Sequence, residues 1–448
     1  MRSCLLPAAA IVPLLLVGCY HYKPRPLDTT GHTAVFLSRT VDGEDITALG
    51  ARLRENPEHA TFDLTDGVSL AEAEAVALVF NVELRLARAR AGVTRALADN
   101  AGRWSDPALN VDVARLLQSV DHPWKLGGSL AFTLPLSGRL RAERAAAQAE
   151  HAAELLRIAG QEWTTRMELR RAWSAWTTAE LQHQATMDFT SQLDAVIDTV
   201  AAMERVGEMS RNEARLFRIE RSSRLAALAA LSAQREQAAA ALRQLMGLSP
   251  VAPITFVPDS PARVTEPADP APIIQARNPA VAVARARYEV AERDLAVEAR
   301  RQYPDLEIGP GLGREEGIDE FRLGFSLPIP ILNANRAAIA RAQAARDLAS
   351  LEVDAAIESA LVEAAAARAA IAAARERRRI LEEEVAPMVD AQFADVRRLA
   401  ELGEIQVFML MEALTRRLDA RLNLIEAARD EALATTRLLE VLGPENEP

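Results

Sequence analysis

Hydrophobic and polar positions along the chain change period twice, in the same order each time. From Ser69 the pattern is helical, with Glu72 three residues on as a capping-box partner, and it predicts a helix to about Arg103. Two runs of strand length with partial alternation follow, Pro107 to Leu117 and Lys125 to Leu134, around a polar turn holding Asp121, His122 and Pro123. Helical periodicity then runs from Leu140 to a glycine at Gly207, and a second helix of about 40 residues returns to Gly247. Taken as one helix, Leu140 to Arg205 is roughly 100 Å long, more than any globular core requires. The later half repeats the order: strand-like Asp305 to Leu312 and Glu320 to Leu327 around Arg314 to Asp319, then helices to Gly403 and back to Gly443. Ile357, Leu361 and Ala364 at i, i+4, i+7 mark a packed helix face, and Pro387 predicts a break or kink with no proline counterpart in the first half.

The two halves superpose almost without gaps. Asn81 (NVELRLARAR) and Asn278 (NPAVAVARAR) are offset by 197 residues, as are Pro107 and Pro304, while Gly207 and Gly403 are offset by 196. Between them, Pro250 to Pro272 holds seven prolines and reads as an extended linker. The resulting organisation is a signal peptide over 1–18, an extended arm over 19–67 that packs on the outside of the body, a first helix-strand-strand-helix repeat over 68–249, the linker over 250–272, a second repeat over 273–443 and a tail over 444–448. The fold class is mostly α, with a minority of β strands.

Composition supports this picture. Alanine-rich stretches such as Ala364 to Ala374 favour long, closely packed helices, and aromatic residues make up only 4% of the chain. Arg2 followed by apolar Leu5 to Val17 reads as an export signal too short to span a bilayer. Leu16-Val17-Gly18-Cys19 looks like a bacterial lipobox, with Cys19 as the lipidated residue and Tyr20, where an Asp would retain the protein at the inner membrane, favouring outer-membrane sorting. The alternative is a plain signal peptide with Cys19 as an ordinary thiol. The only cysteines are Cys4 and Cys19, so the mature chain forms no internal disulfide. No later segment has 18 consecutive apolar residues, so a membrane crossing must be made by strands. A formal charge of −11 argues against nucleic acid as a partner.

No catalytic constellation stands out. His21, His32, His59, His122, His151 and His183 are never at metal-ligand spacing, and there is no phosphate loop or nucleophile elbow. The reading is of a non-enzyme without cofactor or metal.

Strand pairs inserted between very long helices, twice per chain and after a lipobox, give a sequence that resembles the TolC-type outer-membrane efflux proteins. Phe325-Ser326-Leu327-Pro328-Ile329-Pro330-Ile331-Leu332-Asn333-Ala334-Asn335-Arg336 is most similar to the barrel-exit motif of the heavy-metal cation subgroup, and Leu134-Pro135-Leu136-Ser137-Gly138-Arg139 occupies the same slot in the first copy. The resemblance implies a homotrimer. Each chain would give four strands to a shared twelve-stranded transmembrane β-barrel, entered at Pro107 and Pro304 and left at Pro135 and Pro328, above a long α-helical barrel of coiled-coil-like hairpins in the periplasm. It also implies a lipid-anchored exit duct in the outer membrane, working with a periplasmic adaptor protein and an inner-membrane pump that does the energy-consuming step. Substrate would be metal cations in preference to drugs. Gly207 and Gly403 would mark the periplasmic tips, and Glu213, Met409 and Glu412 the gate, with Met409 standing where an acid is expected. Glu213 and Glu412 are equally readable as acids on a solvated helix face. A second class of function stays open, a structural periplasmic coiled-coil lipoprotein that does not conduct.

Overall fold

The computed structural model describes residues 21–40, 43–54, 63–64, 66–115, 117, 123–258, 266–315, 317–402 and 407–445. The signal segment, the lipobox with Cys19, and Gly403 lie outside these residues. Eleven helices and four strands are described: α1 (Thr29–Leu37), α2 (Glu44–Arg54), α3 (Leu70–Phe80), α4 (Val82–Asn100), β1 (Ala108–Arg115), β2 (Trp124–Leu134), α5 (Arg139–Val206), α6 (Arg211–Leu245), α7 (Ala271–Arg277), α8 (Pro279–Arg301), β3 (Leu306–Glu315), β4 (Ile318–Ser326), α9 (Arg336–Ile380), α10 (Ala386–Glu401) and α11 (Val407–Leu442).

The predicted helix from Ser69 begins as expected: Ser69 N–H donates to Glu72 Oε2 at 2.9 Å, and Glu72 N–H donates to Ser69 Oγ at 3.4 Å. It does not run unbroken to Arg103. Asn81 turns extended (φ −55°, ψ 130°) and starts a new helix, its Oδ1 accepting from the Glu83 and Leu84 amides while its Nδ2 donates to Leu245 O at 2.8 Å. The second copy repeats the device: Asn278 Oδ1 accepts from Val281 N–H and its Nδ2 donates to Val441 O at 2.7 Å. Both asparagines are buried. A glycine at the end of each return helix completes the junction. Gly247 and Gly443 have φ of +68° and +81°, and a Cβ on either would lie 2.1 or 2.2 Å from the carbonyl oxygen of Phe80 or Arg277.

The repeat therefore has a physical basis, because each copy locks the end of its return helix to the break between its first two helices. In the first copy the lock sits in a core of Val76, Phe80, Leu169, Leu242 and Met246. Trp173 and Trp176 pack edge-on against Phe256 of the linker, each 5.4 Å between ring centroids. Phe256 also makes a parallel bridge to Val68, so the linker crosses the outside of the first repeat. The segment expected to be an extended arm instead contains α1 and α2. Ile46 of α2 is buried in the same core, and Arg39 donates to Gly247 O at 2.9 Å, so apolar contact supplies the local order that the weak periodicity did not predict.

α5 runs unbroken for 68 residues, about 100 Å. Its counterpart does not. A π-helical turn over Leu381–Val385, in which Ala386 N–H reaches back to Leu381 O, separates α9 from α10 immediately before Pro387, whose ring nitrogen has no proton to continue the α-helical ladder. The helices form one wall. α5 packs against α4 and α6 of its own copy and against α8 and α11 of the other, and α9 closes the wall against α8 and α11. Thus α4 and α6 form one free edge and α9 with α10 the other.

Gly247→Ala is expected to lose about 2 kcal/mol or more, since the new Cβ meets backbone at a left-handed φ. Gly92→Ala, on α4 with nothing within 4 Å, should gain about 0.5–1 kcal/mol. Thermal melts of the far-ultraviolet helix signal in detergent would give a lower Tm for the first and a higher one for the second.

Candidate functional site

The four strands form one antiparallel sheet in the order β1-β2-β3-β4, so the strand pair of the first repeat joins that of the second through β2 and β3. All four prolines named from the sequence stand at the helix-proximal end of this sheet. Pro107 and Pro304 precede β1 and β3, and Pro135 and Pro328 follow β2 and β4. None occupies a position where the ladder needs an amide donor. Pro310 lies within β3, opposite Leu323.

Register divides the side chains into two faces. Leu109, Val111 and Val113 of β1 stand opposite Leu130, Gly128 and Leu126 of β2, and across β3 and β4 the same face carries Ile308 opposite Phe325 and Leu312 opposite Phe321. The other face carries Asn110 opposite Ser129, Asp112 opposite Gly127, Thr133 opposite Glu307 and Gly311 opposite Arg322. Among the described residues no helix covers the apolar face. Leu109, Val111, Leu126, Leu312, Phe321, Leu323 and Phe325 are all exposed. Strands of 8 to 11 residues span about 26 to 36 Å at roughly 3.3 Å per residue, enough to cross a hydrocarbon layer at a tilt. Trp104 and Tyr303, both exposed, stand just before the sheet at its helix-proximal end, and Arg115 lies 5.6 Å over the Trp124 ring at the far end, so aromatic rings mark both ends.

Joining this sheet to the helices is a polar clasp. Arg139, at the start of α5, donates to Asp305 at 2.8 Å and to Glu143 at 2.9 Å, tying the exit of the first strand pair to the entry of the second. Asn335 sits left-handed at φ 57° at the corresponding start of α9, and its Nδ2 donates to Glu298 Oε2 at 2.8 Å. The clasp was not visible in the sequence, because its partners lie far apart along the chain.

At the opposite end of the helices, Gly207 ends α5 at φ +83° and the Glu208 amide donates back to Met203 O at 3.0 Å. Ser210 caps α6. Glu213 folds back onto that cap, accepting from Ser210 N–H at 2.9 Å, and the Ser210 amide and hydroxyl hold its carboxyl below the usual carboxylate range. Glu412 pairs with Arg416 at 2.8 Å, and Met409 is half exposed on the first turn of α11. The two hairpins meet there. Phe217 and Phe408 stand 5.3 Å apart within a cluster that includes Phe189, Leu193, Met209, Leu414 and Leu418. Glu213 and Glu412 are thus both engaged locally, which the sequence reading did not foresee. Among the described residues no group of three His, Cys, Asp or Glu side chains converges as metal ligands do.

The free edges of the wall carry apolar stripes turned away from the core. On α4 the buried face is Leu84, Ala87 and Ala91, and the opposite face is Val82, Leu86, Val93 and Leu97. On α6 the outward row is Leu216, Ile219, Ser223, Ala226 and Ala230, spaced three and four apart. On α9 the buried row is Ala360, Ala364, Ala367 and Ile371, and the opposite row includes Leu348, Leu351 and Val362.

Comparison with known structures follows this geometry closely. The outer-membrane channel OprN aligns over 95% of this chain and 98% of its own, with a TM-score of 0.71 at 19% identity. CusC, a transmembrane channel, aligns over 84% and 92% with a TM-score of 0.70 at 17% identity. VceC, an outer membrane protein of Vibrio cholerae, aligns over 84% and 97% with a TM-score of 0.69 at 16% identity. The chain has the fold of these outer-membrane channels. Residues 272–444, which contain the second repeat, match the outer membrane efflux protein family. No curated protein sequence matches at a significant level.

The Glu213 carboxylate contributes to the α6 cap while ionised. Because its pKa is depressed in the folded state, that contribution is present above the unfolded value and is lost as pH falls through the folded one. Hydrogen exchange at residues 210–214, corrected for intrinsic rates, should show less protection as the pH drops below the ordinary carboxylate range, and Glu213→Gln should remove that dependence.

Proposed function

We propose that the protein is an outer membrane efflux protein, a homotrimeric exit duct that passively conducts substrate from an inner-membrane pump and periplasmic adaptor to the exterior. The observation that carries this reading is the sheet with one apolar and one polar face, both uncovered, and with the outer edges of β1 and β4 unpaired among the described residues. Lipid satisfies the apolar face, water the polar one, and only closure satisfies the edges.

The internal repeat supplies the mode of closure. Within one chain, β2 pairs with β3, and α5 packs on α8 and α11. By repeat equivalence, β4 has its partner in β1 of the next copy, and α9 in α4 and α6 of the next copy. The outward stripes lie on those very helices. Charge is complementary as well: α4 presents Arg85 and Arg90 beside its stripe, and α9 presents Asp354 and Glu358 beside its own, none with an ion-pair partner among the described residues. This is a heterologous contact that closes into a ring, and three copies of four strands give the twelve-stranded barrel.

Finer points rest on resemblance. Cys19 is the lipid anchor, the Gly207 and Gly403 turns are the periplasmic tips that meet the adaptor, and Glu213, Met409 and Glu412 line the entrance. The Pro328-Ile329-Pro330 exit motif supports metal cations over drugs as substrate. No helix among the described residues is long and apolar enough to cross a membrane.

Purified protein should give discrete openings in planar bilayers and cross-link to trimers. A protein that stays out of the bilayer as a monomer or dimer would support the non-conducting lipoprotein instead. Leu351→Glu together with Val362→Glu, which places charge on the outward row of α9, should abolish trimer cross-linking while circular dichroism shows the helix content retained.

A further inference from the structure

The polar face of the sheet is ordered in levels by the register, and its charges are not evenly spread. Nearest the hairpin ends, Lys125 pairs with Glu315, while Arg322 reaches Glu320 at 2.8 Å and Glu315 at 3.4 Å. The next carboxylate there, Asp112, feels the attraction of the same Arg322. Glu315 and Glu320 are compensated by direct ion pairs, and Asp112 only through the longer-range field of Arg322. Moving toward the helices, the following level has no functional groups at all: Ala108 stands opposite Ala131, and Gly309 opposite Gly324. The last level holds Thr133, Glu307 and Ser326 in one row.

Glu307 is exposed, has no ion-pair partner among the described residues, and is separated from Arg322 by about 13 Å of strand. The nearby clasp offers it no cation, because Arg139 is bound to Asp305 and Glu143. At the tip the acids are otherwise engaged, Glu213 on its cap and Glu412 on Arg416.

We propose that Glu307 is the residue that sets the charge preference of the duct, favouring mono- and divalent cations over anions where the barrel opens into the helical tunnel. The inference rests on the barrel reading, which places the polar face on the lumen and repeats Glu307 threefold around it. An uncompensated carboxylate ring beside a level of bare glycine and alanine meets no competing charge on its own level or the next, so its potential reaches into the water-filled lumen.

Reversal potentials in a potassium chloride gradient test this on the full-length trimer. The wild-type duct should prefer cations. Glu307→Gln should lower the cation-over-anion permeability ratio by about two- to threefold, and Glu307→Lys should carry it toward anions. Thr133→Lys, on the same level with Glu307 intact, should also lower it, and it serves if the Glu307 variants do not assemble. Conducting variants with the wild-type reversal potential would overturn the assignment and leave the barrel standing. A wild-type protein that never conducts would instead overturn the barrel, and the assignment with it.

Discussion

Everything in this molecule depends on a sheet that a single chain cannot stabilise. Four strands with an apolar face, a polar face and two free edges have no core of their own, since among the described residues no helix lies over either face. In water such a sheet would leave residues such as Leu109, Leu312 and Phe321 solvated and two rows of backbone amides and carbonyls unpaired, the arrangement that elsewhere leads to aggregation. Lipid on one side, water on the other and a neighbour at each edge would remove all three costs together. In the proposed trimer the long helices then have a geometric purpose, carrying the walls of the same ring away from the membrane. Within the chain, the Asn81 and Asn278 junctions fix where each hairpin starts.

Much of this was legible in the sequence because the relevant interactions are local or repeated. The Ser69 and Glu72 capping box is a three-residue signal, the strand prolines and the alternation around them mark the sheet, and Pro387 announces the break that appears as a π-helical turn. The repeat offset made each weak signal count twice. Strand ends moved by only a few residues, with β3 extending to Glu315 where a turn was expected from Arg314, because the Arg314 and Asp319 side chains pair across the hairpin end.

What was not legible depends on contacts between distant residues. Asn81 resembled the interior of a helix in the sequence, since its partner, Leu245 O, is 164 residues away. The order in α1 and α2 comes from Ile46 entering a core built by other segments. The candidate site divided in the same way. Gly207 and the four prolines are positions where backbone chemistry alone dictates the residue. The acids differ: Glu213 carries a local signal, the Ser210 and Glu213 capping-box spacing, whereas Glu307 has neighbours that are defined only once β2, β3 and β4 are in register.

The central claim is that the sheet is a sector of a membrane-spanning barrel with its apolar face in lipid. Nitroxide labels placed singly at residues 320–325 of β4 in reconstituted trimers test it most directly, through collision with oxygen, which concentrates in lipid, and with a water-soluble nickel complex. The account predicts a period of two, with oxygen accessibility highest at 321, 323 and 325 and nickel accessibility highest at 320, 322 and 324. Uniform accessibility to nickel along the strand, with no alternation, would contradict it.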